Sequence, residues 1–267
     1  MHARSLPSRP SDGFILLHTL WLLLTASTLV AGLLVVANRS SEEFALAERE
    51  ARQEIAQESA VELAIHDIVT SGTRSRWLHA PLVTGAVEIE GQHITLTVQN
   101  VDGLVDLGTG DLKLIDTLLT QVVRAERSAI LARLDTVRFA HDGVARPFAT
   151  YSELHAALGA SNRAFMCLSP YITLFSGRSI PDATLAPTDL VSLLRLDHRT
   201  SEQASALETT SAAAGSTYRI EAVPALAGSL GGQILSIEIT ITGQIRPSHL
   251  IRSWRYLYRT AKDGSCS

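Results

Sequence analysis

The sequence predicts an α+β protein in which a long amino-terminal helix packs on an antiparallel sheet and an all-helical subdomain is inserted between the strands. Three observations support this fold class. An apolar run, and then a mostly polar segment free of Gly and Pro, occupy residues 14–71. Alternating apolar and polar residues, the strand pattern, appear in residues 87–98 and return in residues 218–258. Helical spacing fills the stretch between them, and this order of elements is typical of the α+β class.

The first element is the apolar run over residues 14–37, which contains no Asp, Glu, Lys or Arg. As a helix this run spans roughly 36 Å, enough to cross a hydrocarbon core of ~30 Å. Three interpretations are open: a cleaved secretory signal peptide, a signal anchor, and a helix that is retained after a polar leader is removed. A secretory signal peptide has an apolar stretch of only about 7–15 residues, so the length disfavours the first. The short basic leader, residues 1–13, ends in Gly at the edge of the run, and the junction Gly13-Phe14 favours the third.

The charges around the apolar run predict its orientation. Arg4 and Arg9 precede the run, whereas residues 39–50 after it are rich in acidic side chains. Because positive charge is retained on the cytoplasmic side, the amino terminus is expected in the cytoplasm and the rest of the chain outside. Within the run, His18 is ionisable and therefore a candidate for a specific role in the membrane. Trp21 is expected to meet lipid or a partner helix.

The segment after the run, residues 38–72, is predicted to continue as helix. It is rich in Ala, Glu, Arg and Gln, and it includes a Glu48–Arg52 pair at i,i+4 spacing. Apolar residues at helical spacing become frequent only near its end. Its first part is therefore expected to be a solvated stem, and its last part to pack on a domain.

Residues 73–107 and 216–262 are predicted to form the antiparallel sheet. The first region contains a hairpin that turns at residues 90–92 and a short strand at 104–107. The second contains three strands, in which one apolar face comprises Leu235, Ile237, Ile239 and Ile241. Residues 199–215 are rich in Ser, Thr and Ala and are expected to form a flexible loop.

The helical subdomain is predicted over residues 108–198. Residues 112–134 contain one long or two short helices, and a short strand is expected at 171–175. Another helix is expected to begin after an N-cap at Ser152 and to end at Gly159. The last helix of the subdomain begins near Pro187.

Composition excludes some classes of partner. The net charge is −4 and the isoelectric point is about 6.1. Nucleic acid is therefore not expected as a main partner, because phosphate binding needs clustered cations. One cluster of basic residues occurs near the carboxyl terminus and comprises Arg246, Arg252, Arg255 and Arg259. Because these arginines recur at nearly alternate positions, they are predicted to lie on the solvent-facing side of a strand.

The chain has two cysteines, Cys167 and Cys266. An oxidising exterior would allow them to form a disulfide, provided that their Cα atoms lie within about 7 Å. A metal site is the less favoured interpretation, because no CxxC motif or Cys/His cluster accompanies them.

No residue pattern predicts catalysis, and the chain is not expected to be an enzyme. The GxSxG, HExxH, P-loop and GxGxxG motifs are missing from the sequence, and its nine histidines are scattered. Asp102, Asp106 and Asp111 are spaced so that their oxygens could ligate a hard cation. Turn-forming and helix-capping roles are favoured over that interpretation.

Several short motifs together resemble the minor pseudopilin K family of type II secretion systems, also called the general secretion pathway protein K family. The Gly13-Phe14 junction resembles the processing site of type IV pilins and pseudopilins. Residues 168–177, LSPYITLFSG, resemble the family pattern L-x-P-Y-x-T-x-Y-S-G, and residues 102–107 resemble the opening of its D-x-G-K-x-N-L-N-x-A motif. As in that family, Glu is missing at the fifth position of the apolar run, where this chain has His18. The chain departs from the family pattern at Gly108, where Asn is usual.

The resemblance implies a pilin-like fold, with the long helix packed on the sheet, and it implies a function. Prepilin peptidase would cut the chain after Gly13 and methylate the new amino terminus at Phe14. The chain would lie in the inner membrane with its globular domain in the periplasm. There it would cap the tip of the pseudopilus with other minor pseudopilins and assist the export of folded proteins across the outer membrane.

Calcium sites occur in the resembled family, but their ligands have no assignable counterpart here, and no other cofactor is expected. The alternative function is a single-pass, membrane-anchored periplasmic binding or sensor domain. The two functions predict different mature amino termini, because only a pseudopilin would be cut after Gly13.

Overall fold

The computed structural model describes residues 12–138, 148–196, 215–225 and 233–258. The chain divides into two compact units, Met1–Glu54 and Ile55–Ser267. One helix, α1, runs from Asp12 to Ser71 and contributes residues to both units. The rest of the predicted leader, before Asp12, lies outside the described residues.

In the first unit, α1 exposes its apolar side chains. The stretch Leu16–Leu34 is long and apolar enough to cross a membrane, and none of it is buried within the protein. The hydroxyls of Thr19, Thr25 and Thr28 each donate to the backbone carbonyl three residues earlier, at 2.9–3.0 Å. Because each hydroxyl donates its hydrogen bond to the helix backbone, it does not need water as a partner and can lie in an apolar environment such as lipid.

Antiparallel strands form the main sheet of the second unit. In chain order, the strands of the described residues are β1 (Leu82–Ile89), β2 (Gln92–Asn100), β3 (Val105–Asp106), β4 (Ile172–Thr173), β5 (Thr217–Pro224), β6 (Gln233–Ile241) and β7 (His249–Tyr258). The sheet order is β1-β2-β5-β6-β7, so the two predicted strand regions pair through β2 and β5. The predicted hairpin joins β1 and β2. Its turn residues Glu90 and Gly91 have φ values of 49° and 78°, as a two-residue type I′ turn requires.

The last part of α1 packs on one face of this sheet. Gln57 fixes the helix to the strands, because its Nε2 donates to the carbonyls of Ala222 and Gln233, both at 2.8 Å. Small residues on the helix let its backbone approach the sheet, and the shared core includes Ala60, Ala64, Ile65, Ile68, Ile94, Leu96, Ile220, Leu235, Ile237, Ile239 and Ile241. The predicted apolar face of β6 therefore lies against α1, and the α+β class is confirmed.

The segment between β2 and β5 forms a second apolar core. It contains α2 (Leu112–Val122), α3 (Arg127–Arg138), α4 (Tyr151–Leu158), α5 (Asn162–Leu168) and α6 (Thr188–Leu194). β3 and β4 pair in parallel within it, so the short strand predicted at 104–107 belongs to this subdomain and not to the main sheet. Val101 and Leu104 are buried in the same core. The inserted subdomain therefore begins near residue 101, earlier than the predicted 108, and it contains a short strand pair besides its helices.

Capping residues decide where the helices of the subdomain begin and end. The predicted helical stretch breaks into α2 and α3, and Arg127 at the start of α3 forms an ion pair back to α2. The N-cap of α4 is Thr150 and not Ser152, because Thr150 accepts the backbone N–H of Glu153 at 3.1 Å. Gly159 ends this helix in the left-handed conformation, as predicted. The sequence patterns above did not indicate α5, whose N-cap is Ser161.

The subdomain covers the face of the sheet that is turned away from α1. On β6, Ser236 and Glu238 alternate with the core residues that contact α1, yet both are buried. Tyr151 of α4 donates its hydroxyl proton to Glu238 at 2.8 Å. Both faces of the central strands are therefore covered, one by α1 and one by the insert.

Candidate assembly site

The predicted processing junction lies in the first turn of α1. Phe14 is 70% exposed, and its ring stacks on His18 with the ring centroids 6.0 Å apart. Trp21, one turn later, is 63% exposed. The structure therefore brings Phe14 and His18 together and leaves apolar rings at the surface, where lipid or a partner helix could cover them.

The second unit has an exposed helix surface as well. We call it the outer face of α1, and it comprises Ile55, Glu58, Ser59, Glu62, Leu63 and His66, which line a shallow depression. Ile55 is 57% exposed and Leu63 is 51% exposed. Tyr256 of β7 donates its hydroxyl proton to Glu58 at 3.0 Å at the margin of this face. The outer face thus combines apolar side chains with carboxylates.

A buried ion pair holds the insert on the sheet. Arg219 of β5 and Glu238 of β6 are neighbours in the strand register, and their side chains are only 3% and 0% exposed. The Arg219 guanidinium donates to Glu238 Oε1 at 2.6–2.8 Å and also to the carbonyls of Ser169 and Ile172 in the insert. These donors therefore join the two cores of the second unit through one side chain.

Tyr151 completes this network from the insert. Its hydroxyl accepts from Arg219 Nη2 at 2.9 Å and donates to Glu238 Oε1. Burial raises the pKa of the Tyr151 hydroxyl above its ordinary value, so the group stays protonated and keeps its proton for Glu238. We refer to Arg219, Glu238 and Tyr151 as the docking network.

Arg255 of β7 lies beside the docking network. Its guanidinium carbon is 3.5 Å from the centroid of the Tyr151 ring, a cation–π geometry. Burial lowers the pKa of Arg255 from its usual value. The prediction that Arg255 decorates a solvent-facing strand is therefore wrong, because the insert covers that face. Arg246 and Arg252 are exposed, and Arg259 lies outside the described residues.

The three carboxylates considered as cation ligands have local roles. Asp111 is the N-cap of α2, and Asp106 accepts the backbone N–H of Gly177 at 2.8 Å. Asp102 pairs with Arg178 at 3.2 Å. Within the described part of the chain, no cluster of three or more His, Cys, Asp or Glu side chains is suited to a metal ion. The contacts of Asp106 and Asp111 are of the turn-forming and capping kind.

A further carboxylate orders the α2–α3 connection. Glu126 accepts the Ser161 hydroxyl at 2.6 Å and the Ser161 backbone N–H at 2.8 Å. These two hydrogen bonds hold the pKa of Glu126 below its usual value. The pair joins the start of α3 to the start of α5.

Cys167 is buried at the end of α5, 8% exposed, in the core of the insert. Cys266 lies outside the described residues. The disulfide between them stays a prediction.

No protein-family model matches the chain, and no curated protein matches it significantly. Among solved structures, the chain is similar to a chain in the crystal structure of the GspK-GspI-GspJ complex from the enterotoxigenic Escherichia coli type 2 secretion system. The two chains are 12% identical, with a TM-score of 0.46. The similarity covers 82% of this chain and 99% of the other. The α+β assignment of this chain rests on its own strand order and packing.

Sequence reasoning did not indicate the docking network. One signal was present: Arg219 and Glu238 each interrupt a strand that is otherwise rich in apolar residues. Charged residues are common on a strand that has one solvent-exposed face. Only the insert, packed on that face, makes them a buried pair.

Proposed function

We propose that this chain is a minor pseudopilin of a type II protein secretion system, which caps the tip of the periplasmic pseudopilus and assists the export of folded proteins. The observation that carries the proposal is the course of α1. A single helix begins at Asp12 and includes the Gly13-Phe14 junction in its first turn. It continues through an exposed stretch that could cross a membrane and ends packed on an antiparallel sheet. The resemblance of residues 168–177 to the pseudopilin K pattern adds independent support.

The insert supports a position at the tip. It adds a second layer to the sheet on the face away from α1, held there by the docking network. A subunit with this extra layer is wider than a helix-plus-sheet subunit. Repeating it along a helical filament would need room that the interior positions do not offer, whereas the last position has no subunit above it.

The proposal includes the partners and the compartment. Prepilin peptidase would remove residues 1–13, the apolar start of α1 would hold the chain in the inner membrane, and the second unit would face the periplasm. Other minor pseudopilins would bind it in the tip complex. An exposed apolar helix can serve first in lipid and later against neighbouring helices, because both surroundings are apolar.

The mature amino terminus tests the proposal. Chain isolated from membranes of cells with active prepilin peptidase should begin at N-methylated Phe14, as measured by intact mass and amino-terminal sequencing. Gly13→Val should block the cut, whereas Gly32→Val in the same apolar helix should leave it unchanged. An uncut Met1 start in such cells would contradict the pseudopilin assignment and would favour a membrane-anchored sensor or binding domain.

A further inference from the structure

β1 forms one open edge of the main sheet. Its register with β2 is unbroken over its eight residues. Asn100 of β2 donates its backbone N–H to the carbonyl of Pro81 at 3.4 Å, and hydrogen-bonded pairs alternate along an antiparallel ladder. Every second residue of β1 therefore points its N–H and C=O away from β2, with no backbone partner among the described residues: Leu82, Thr84, Ala86 and Glu88.

The side chains at this edge leave room for a further strand. The four outward residues of β1 all have exposed side chains, because the insert buries Arg219 and Glu238 on the central strands but does not cover β1. The strand contains no Pro, Lys or Arg, which are residues that commonly keep a sheet edge from pairing. Nothing in the composition of β1 therefore protects its edge.

The opposite edge of the sheet is different. β7 lies at that edge, and its register with β6 shifts between Glu238 and Ile239. Arg252 adds an exposed positive charge to the strand. An irregular edge that carries cations resists pairing with another strand. Of these two edges, β1 is therefore the one suited to strand addition.

The charges at the turn end of β1 define the chemistry of an added strand. Glu88 and Glu90 are exposed at that end, whereas Leu82 is 47% exposed at the other. An antiparallel partner, which pairs slightly more stably than a parallel one, would begin with Lys or Arg beside the glutamates and end with an apolar residue beside Leu82. The β1 strand of a second copy is a poor occupant, because full antiparallel overlap places Glu88 of each copy opposite Leu82 of the other.

We propose that the edge of β1 binds an extended segment of another protein by antiparallel strand addition, with a Lys or Arg of that segment beside Glu88. The outward N–H and C=O groups of β1 supply the main-chain hydrogen bonds, and the cation fixes the direction of the segment. The edge belongs to the second unit alone, so the inference does not depend on the amino-terminal cut that tests the proposed function.

Binding of a fluorescently labelled peptide to the detergent-solubilised full chain tests the proposal. The peptide Lys-Thr-Val-Ser-Thr-Thr-Leu should bind saturably, as measured by anisotropy, and should protect the N–H groups of Thr84 and Ala86 from hydrogen exchange. Ala86→Pro removes one outward N–H and leaves the hydrogen bonds with β2 in place, so it should weaken binding at least about tenfold. Ala86→Val retains that N–H and is the matched control, which should bind like the parent chain.

A charge exchange tests the direction of the added strand. Glu88→Lys should weaken binding of this peptide about fivefold, and a peptide that begins with Glu instead of Lys should restore the affinity. This variant leaves the backbone of β1 unchanged, so it decides the matter even if proline disturbs the strand. Absence of saturable binding, equal binding by the Ala86→Pro and Ala86→Val chains, or an unaffected Glu88→Lys chain would overturn the inference. Self-association of the chain that Ala86→Pro abolishes would also overturn it, since a second copy would then occupy the edge.

Discussion

Replacing Arg219 by Met should loosen the insert from the sheet. The substitution keeps an unbranched apolar stem of similar length but removes every donor of the guanidinium. Glu238, with a fully buried side chain, would lose its ionic partner. The carbonyls of Ser169 and Ile172 would lose the same donor.

The magnitude follows from burial. Removing one partner of a buried ion pair costs about 3–5 kcal/mol, since it leaves an uncompensated charge in a poorly solvated site. The same change in an exposed pair costs less than about 1 kcal/mol. Arg52→Met is the matched control, because Arg52 pairs with Glu48 while their side chains stay 67% and 47% exposed. For a chain of this size, the larger loss corresponds to a fall in Tm of about 10 °C.

Urea unfolding of the detergent-solubilised full chain measures the effect, with tryptophan fluorescence as the probe. Trp77 is buried in the core between α1 and the sheet. The double variant Arg219→Met with Glu238→Leu should lose less stability than the sum of the single variants, because the unpaired carboxylate is gone. Hydrogen exchange should rise first in the insert.

Two outcomes would refute this reasoning. One is a loss for Arg219→Met no larger than the loss for Arg52→Met, which would mean that water reaches Glu238. The other is strict additivity of the two single variants, which would mean that the two side chains act independently.

Three further predictions concern other parts of the second unit. The pKa of Glu126 is lower in the folded chain than its ordinary 4.5, so this carboxylate stabilises the fold above pH 4.5, and the contribution is lost as the pH falls through its folded pKa. Glu126→Gln should lower the urea midpoint at pH 7, and the difference from the parent chain should shrink as the pH falls below 4.5. A Cβ at Gly103 would overlap the backbone of the loop before α6, so Gly103→Ala should lower the free energy of unfolding by about 1–3 kcal/mol in the same assay. Gly32→Ala is the control, because a Cβ at Gly32 has no neighbour within contact distance, and it should not destabilise the chain. Peptide mapping without reductant should recover Cys167 joined to Cys266, and two free thiols would refute the pairing.

Local patterns predicted the elements that depend on local interactions. The alternation in β6 and the turn at Glu90-Gly91 are properties of neighbouring residues, so the strands and the hairpin followed from the sequence. Gly159 likewise ended α4 because its left-handed conformation is a local matter. The order helix, hairpin, insert and strands was sufficient to predict the α+β class.

The features that escaped prediction depend on what packs from elsewhere in the chain. β3 pairs with β4, 67 residues later in the register of Val105 and Ile172, and no local signal specifies that partner. Arg255 has the spacing of a solvent-facing residue, yet it lies against Tyr151 because the insert occupies that face. The alternation of apolar residues showed which side of a strand would be buried. It did not show that the insert would cover the opposite side as well.

The docking network gives a physical reason why the insert can matter for the proposed assembly. An insert tethered only by its two connections to β2 and β5 could move away from a neighbouring subunit and would obstruct little. Arg219 instead reaches from the sheet to two carbonyls of the insert, while Tyr151 reaches back to Glu238. These contacts cross between two apolar cores, so the insert and the sheet resist separation together. Bulk that is fixed in this way can limit where the subunit fits in a filament, and that is the property that the proposed tip position requires.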